Sequence, residues 1–412
     1  MRTPLVMSRE GVARFLLHAQ HLSRAAAPGR AGRVSPVVTL RKIRRLECVQ
    51  IDPVAVVERN QHLVLAARLP GYDPGSLEAL LRRGRVFEYW ANAACIIPIE
   101  AFPVFEGTRR RFRSRLGSEL RTLRPIVRRM MAALESRGPL PAREFASPER
   151  LRGAWDLSEA RTKATSHALT LLFRTGALVV AKRDRAERYF DLPERAIPAG
   201  LLRDAAAMKT ADADDALLEM YLHAYRVFDA GDPRFGWRAM TIAGRRDAVQ
   251  RRIRDGAIVP LTISGVARQY FVLARDVPAL QRHERTAAAG DDDAGFPARF
   301  LPPLDNLLWR RERIADVFGF RYLWEGYLPV ARRRYGHYAM PILVGSRLVG
   351  RIDPRLDRAR GRLVVRLLHL EPHVAITRGL RESLATGLEA FAKFHEAGDV
   401  EVERTYPARL RV

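Results

Sequence analysis

The chain has 412 residues, 47% of them hydrophobic, enough for a sizeable core divided over roughly two to four units. Lys and Arg outnumber Asp and Glu by 71 to 46, a formal net charge of +25 that points to a polyanion partner, duplex nucleic acid first, rather than to a generally basic solvated surface. Two cysteines (Cys48, Cys95) exclude a disulfide framework or cysteine-rich zinc site, and Ser8, Arg9 and Glu10 interrupt the N-terminus before a secretory segment forms; no stretch approaches the roughly 20 apolar residues of a bilayer span, so a cytoplasmic protein without a membrane partner is expected.

In chain order, a first helix is expected from Val12 to Leu22 and a second from Thr39 to Val49. On the second, Leu40, Ile43 and Leu46 fall on a core face, and Arg41, Lys42, Arg44 and Arg45 on an outward face suited to DNA phosphates. Val49-Gln50-Ile51-Asp52-Pro53 follows. Pro53 biases Asp52 toward extended backbone, where alternate side chains share a face, so Gln50 and Asp52 project together. The segment Leu80 to Val86 reads as a helix end running into a strand.

From Leu123 to Pro198 a fuller pattern appears. Ile126, Val127, Met130, Met131 and Leu134 recur at helical spacing until Gly138-Pro139, a short segment covers Pro141 to Phe145, and Ala168, Leu169, Leu172 and Phe173 mark a longer helix. Gly176 ends that helix, Ala177 to Val180 form a strand, Lys182-Arg183-Asp184-Arg185 turn, and Arg188-Tyr189-Phe190 return. Helix, short helix, longer helix and two-stranded wing is the order of a winged helix-turn-helix. Arg252 to Val259 repeats Leu172 to Val179 in register, Gly256 standing for Gly176, and Gln269 to Leu273 repeats the returning strand. With a fainter copy opening near Ser8, the expected fold is α+β and helix-rich: three tandem winged helices over 1–120, 121–200 and 201–286, a linker over 287–300, and a mixed α/β domain over 301–412. The linker carries the run AAAGDDDA; the last domain has strand-like text from Arg321 to Asp353 and Leu363 to Leu370, closed by a helix from Arg378 to Glu396.

A carboxylate beside a carboxamide, next to a four-cation helix, suits attack on a sugar carbon of DNA. An alkylated purine is a cationic leaving group, so the barrier is mostly charge at the anomeric carbon. Asp52 can stabilise that charge and take a proton from the attacking water, while Gln50 holds the water through its amide. The competing reading is that Asp52 caps a helix or sets an Asp-Pro turn. Spacing alone leaves both open.

These residues resemble the YcaQ-like family of crosslink-repair DNA glycosylases, whose signature is Gln, a hydrophobic residue, then Asp or Gln. Gln50-Ile51-Asp52 matches the Asp form. Val49, Gln61-His62 before Leu63, Phe87 to Ala91 leading to Pro98, and Pro303-Leu304-Asp305-Asn306-Leu307-Leu308-Trp309 match further blocks. Phe318 to Tyr322, Glu325 to Pro329, Tyr335-Gly336-His337-Tyr338 and Leu348 to Asp353 follow in the family's order. The resemblance implies a basic cradle for double-stranded DNA, removal of bulky N7-alkylated purines, crosslinked ones included, and catalysis by Gln50 and Asp52. It places Gln61, His62, Tyr89, Trp90, Asn92, Asp305 and Trp309 near the site. Asn92 and Gln61 stand where relatives carry His, and Leu304 where they carry Phe, which bears on lesion preference.

Arg332, Arg333, Tyr335, His337 and Arg351 form a basic-aromatic group that can meet DNA or be an ordinary sheet face. His18 and His21 lack a nearby carboxylate pair, so no metal site is expected, and no phosphate loop, Gly-x-Ser-x-Gly or dinucleotide fingerprint occurs. The expectation is a monomeric, monofunctional glycosylase without metal or other cofactor, since only Lys42 lies near the pair. The alternative from another class is a non-catalytic winged-helix regulator or architectural protein, with a metal-dependent nuclease a distant third.

Overall fold

A computed structural model describes residues 4–23, 33–145, 147–151, 161–184, 186–288 and 296–410; the aspartates at 291–293 and Arg185 of the second turn lie outside them. The chain opens with β1 (Leu5–Met7) and α1 (Arg9–Ala19). One connectivity then recurs. In the first stretch α2 (Pro36–Leu46) leads to β2 (Val49–Gln50), α3 (Asn60–Ala66), α4 (Pro74–Arg82) and the hairpin β3 (Val86–Trp90) and β4 (Ala94–Pro98). After α5 (Glu106–Thr122) the second stretch has α6 (Arg124–Arg137), β5 (Leu140–Pro141), a small hairpin β6 (Arg150–Leu151) and β7 (Thr162–Lys163), then α7 (Ala164–Thr175), β8 (Val179–Asp184) and β9 (Glu187–Asp191). Two short helices, α8 (Pro193–Ala196) and α9 (Ala199–Ala207), connect to α10 (Thr210–Tyr225), β10 (Val227–Phe228), α11 (Ile242–Arg254), β11 (Ile258–Ile263) and β12 (Tyr270–Leu273).

In each stretch the short first strand pairs with the last: the sheets run β2-β4-β3, β5-β9-β8 and β10-β12-β11. The glycines that end α4, α7 and α11 serve one purpose. Gly84, Gly176 and Gly256 have φ of 58°, 77° and 71°, the left-handed turn that redirects a helix into a strand and disfavours a Cβ. At Gly176 space is short as well: a Cβ would stand 2.3 Å from Cδ of Arg109.

The N-terminus departs from expectation. The helix near Val12 does not open the first stretch. Instead β1 lies parallel beside β11, Leu5 opposite Leu261, and α1 docks on α12 (Val277–Ala288). Ser8 fastens it, its amide and hydroxyl donating to the Glu284 carboxylate at 3.0 and 2.8 Å. Helical periodicity shows that Val12, Phe15 and Leu16 are buried, but not against what.

Burial is shared across these stretches. One apolar core runs through Ile43 and Val49, Met130 and Leu172, and Leu217 and Tyr221, joining all three. A second joins α1 and one face of β11 and β12 to the C-terminal part. That part holds β13 (Arg299–Phe300), α13 (Arg311–Phe318), β14 (Met340–Val344), β15 (Arg347–Asp357), β16 (Arg362–Leu370), α14 (Arg378–Phe394), β17 (Asp399–Val402) and β18 (Thr405–Tyr406). Its sheet runs β13-β14-β15-β16-β17, with β18 also beside β16, and α14 carries β16 over to the parallel β17. The architecture is a helix-rich α+β fold.

A candidate active site on the short strand β2

β2 is held from both edges. Toward the sheet, Val49 pairs with Ile96 and Gln50 with Cys95 of β4. Along its outer edge two asparagines take the carbonyls that a neighbouring strand would otherwise satisfy. Asn60 Nδ2 donates to the Gln50 carbonyl at 2.8 Å, and Asn306 Nδ2 to the Cys48 carbonyl at 2.8 Å. Asn60 Oδ1 in turn accepts from the Leu304 amide at 3.2 Å, so the same side chain ties β2 to the C-terminal part.

The Gln50 side chain is oriented. Its Oε1 accepts from Asn92 Nδ2 at 2.9 Å, and Asn92 Oδ1 accepts from the Tyr225 hydroxyl at 3.3 Å. With its oxygen engaged, the carboxamide offers its NH2 to whatever enters. Asp52 does set the Asp-Pro turn, its Oδ1 accepting from the Val54 amide at 2.8 Å. That bond uses one oxygen and leaves Oδ2 without a hydrogen bond among the described residues. Burial raises the Asp52 carboxyl above its ordinary range, opposed only by the Val54 hydrogen bond. Across from it, burial and then the Asp52 charge raise the phenols of Tyr327 and Tyr338. Val54, Val56 and Val57 join the same core as Trp324 and Tyr338, so the C-terminal part walls the Asp52 side.

The remaining expected site residues divide into supports and surface. Gln61 and His62 are interior: His62 Nδ1 shares a hydrogen bond with the Tyr72 hydroxyl at 2.9 Å, and burial lowers its pKa to about 4, so it is neutral at pH 7. The Tyr89 hydroxyl donates to the Arg174 carbonyl at 2.5 Å, and Arg174 stands 5.5 Å from the Trp90 ring centre. Asp305 is fully buried and grips Arg68 through both oxygens, at 2.6 and 2.8 Å. Trp309 donates its indole N–H to the Leu304 carbonyl at 3.0 Å.

On α2, Arg41 and Arg45 are exposed, and Arg44 is exposed but paired with Glu100 at 2.5 Å. Lys42 lines a cavity apart from β2. Arg332 is exposed, and Arg333 donates to the Leu328 carbonyl at 2.8 Å. His337 is half-buried, its carbonyl accepting from the Trp324 indole at 3.0 Å. Arg351 is not at a surface: it is 4% exposed, ion-paired to Glu371 at 2.6 Å and stacked 3.8 Å from the Tyr335 ring centre. Alternation along a strand does not show that a charge points into a closed aromatic pocket. The sequence reading did not assign Asn60, Asn306 or Tyr225. Asn306 lay inside a quoted motif, whereas Tyr225 carried no local signal.

The comparison with known families gives the class of protein that these elements make up, a DNA glycosylase. A model of the family described as DNA glycosylase AlkZ-like matches residues 43–394, a span that contains the pair and all of its supports, and the chain belongs to that family. The solved Streptomyces sahachiroi DNA glycosylase AlkZ shares the fold, with a TM-score of 0.60 over 98% of this chain and 100% of that chain, at 18% sequence identity. Among the described residues no helix is long and apolar enough to cross a membrane.

Proposed function

We propose that the protein excises N7-alkylated purines from double-stranded DNA as a monofunctional glycosylase, unhooking crosslinks by the same cleavage, with Gln50 and Asp52 as its catalytic pair. What carries this reading is an oriented carboxamide, its oxygen taken by Asn92, followed two residues on by a desolvated carboxylate that keeps one oxygen available. The three repeated stretches are read as winged helices that, with boundaries near residues 120, 200 and 286, cradle the duplex. The shared strand order and the three left-handed glycines support that reading. The chain is taken to act as a cytoplasmic monomer on nucleoid DNA.

In this mechanism the N-glycosidic bond breaks with its electron pair passing to the alkylated base, which leaves neutral. The positive charge that develops on the sugar is stabilised by the Asp52 carboxylate. A water held by the Gln50 NH2 attacks the anomeric carbon, Asp52 accepts its proton, and an abasic site remains. A carboxylate raised by burial is a better proton acceptor than an ordinary one, provided it stays ionised. Lys42, the lysine nearest the pair in sequence, lines a separate cavity, which supports a reaction without a Schiff base. The test is incubation of the protein with an N7-methylguanine duplex in EDTA, with mass spectrometry of the released base. Free N7-methylguanine with strand breaks only after heat or alkali is the expected result. Binding without release would instead identify a DNA-binding protein, and a borohydride-trapped adduct would identify a lyase.

A further inference from the structure

A cavity of about 740 Å³ opens where α1, α2, α12 and the β14–β15 turn meet, apart from the strand that carries Gln50 and Asp52. Arg14, His18 and His21 enter it from α1 and the turn after it, Lys42 from α2, and Arg282 and His283 from α12. Its described lining contains no acidic side chain. Arg68 also lines it but is spent on Asp305 and on the carbonyls of Gln20 and Val64. Arg14 pairs with Glu10 at 2.9 Å. Lys42 and Arg282 have no carboxylate partner among the described residues.

The cost of this arrangement is visible. Burial, then Arg68, Arg45 and Arg299, lowers the Lys42 ammonium to about 8, and burial, then Lys42, Arg68, Arg45 and His18, lowers His21 to about 4. A partly buried charge such as Lys42, among like charges and without a carboxylate partner among the described residues, destabilises a fold, and a ligand of opposite sign offsets that cost. The volume lies within the range of small-ligand pockets, and a cluster of separated cations suits several oxyanions better than one carboxylate.

We propose that this cavity binds a phosphate-bearing ligand with at least two neighbouring oxyanion groups. Adjacent phosphodiesters of bound DNA and a free polyphosphate share that chemistry.

Titration calorimetry of the full-length protein with inorganic pyrophosphate, at fixed ionic strength, tests the site. One saturable site is expected. Its affinity should fall about tenfold or more in Lys42→Gln and in Arg282→Gln, each losing a charge-assisted hydrogen bond. Arg360→Gln removes the same charge from the turn beyond the other end of β15 and should leave the affinity unchanged. Lys42→Gln should also melt no lower than wild type, because it relieves like-charge repulsion. Adding undamaged duplex then separates the sources: loss of pyrophosphate binding assigns the site to backbone phosphates, and independent binding assigns it to a free anion. Absence of a saturable site, an equal loss in Arg360→Gln, or an unchanged affinity in Lys42→Gln with a lowered melting temperature would each overturn the proposal.

Discussion

Replacing Asp52 with Asn separates the turn role seen in the structure from the catalytic role proposed for that residue. One is local: Oδ1 accepts from the Val54 amide at 2.8 Å and holds the turn. Asn keeps an acceptor oxygen there, so the turn should persist. It also removes a charge that burial already disfavours, so the melting temperature should not fall. The proposed role is chemical, and Asn would keep neither the negative charge proposed to face the sugar nor the proton acceptor. General-base contributions of about 10² to 10⁴ set the expected loss in single-turnover release of N7-methylguanine, with duplex affinity nearly unchanged. Asp52→Ala provides the contrast, because it loses the chemistry and also the Val54 bond, at about 1 kcal/mol of stability. Gln50→Ala should cost less activity than Asp52→Asn, since the charge remains. Near-wild-type excision by Asp52→Asn would refute the catalytic role, and matched losses of melting temperature and rate would leave Asp52 a turn residue only.

Further consequences can be measured. Because burial raises the Asp52 carboxyl, the single-turnover rate should fall as pH drops through a value above the ordinary aspartate range and level off at higher pH; an acid limb at or below that range contradicts the placement. Asn92→Ala frees the Gln50 carboxamide and should slow excision roughly two- to tenfold with little change in melting, whereas Tyr225→Phe, which loses a 3.3 Å bond one step removed, should do less. Asp305→Ala leaves Arg68 buried without its counter-charge and should destabilise the protein by about 3 to 5 kcal/mol in denaturant melts. Affinity for undamaged duplex should fall with log salt at a slope of about 0.9 per phosphate neutralised, and an insensitive affinity would remove the basic cradle.

The parts of the structure legible in the sequence were those encoded locally. Strand geometry and Pro53 suggested a shared face for Gln50 and Asp52, and the structure places Gln50 in β2 and Asp52 two residues on, in the turn to Val54. The helix ends at Gly84, Gly176 and Gly256 were readable because a left-handed turn constrains the residue that makes it. Helix faces were readable only as far as the buried side. For α1 the same pattern fits packing on α2 or on α12, and a single parallel pairing of β1 with β11 decides between them. Lys42 illustrates the limit: it sits beside core-facing Ile43, and only the tertiary neighbour shows whether its ammonium meets solvent or a cavity. Arg351 failed similarly, its surroundings being set by Tyr335 and Glu371 from other segments.

What the sequence could not show is that the site belongs to no single unit. A two-residue strand has too few ladder bonds to fix a catalytic side chain on its own. Here its outer carbonyls are taken by an asparagine at the start of α3 and by another almost 260 residues further along the chain, and the carboxamide of Gln50 is set through Asn92 by a tyrosine at the end of α10. The buried pair of Arg68 with Asp305 makes sense in those terms. Such a pair adds little net stability over an apolar contact, but its bidentate geometry fixes position. It seats residues 304–306 so that the Leu304 amide meets Asn60 and Asn306 reaches the Cys48 carbonyl. The Asp-Asn of that motif therefore acts on the proposed site by holding the strand that carries Gln50.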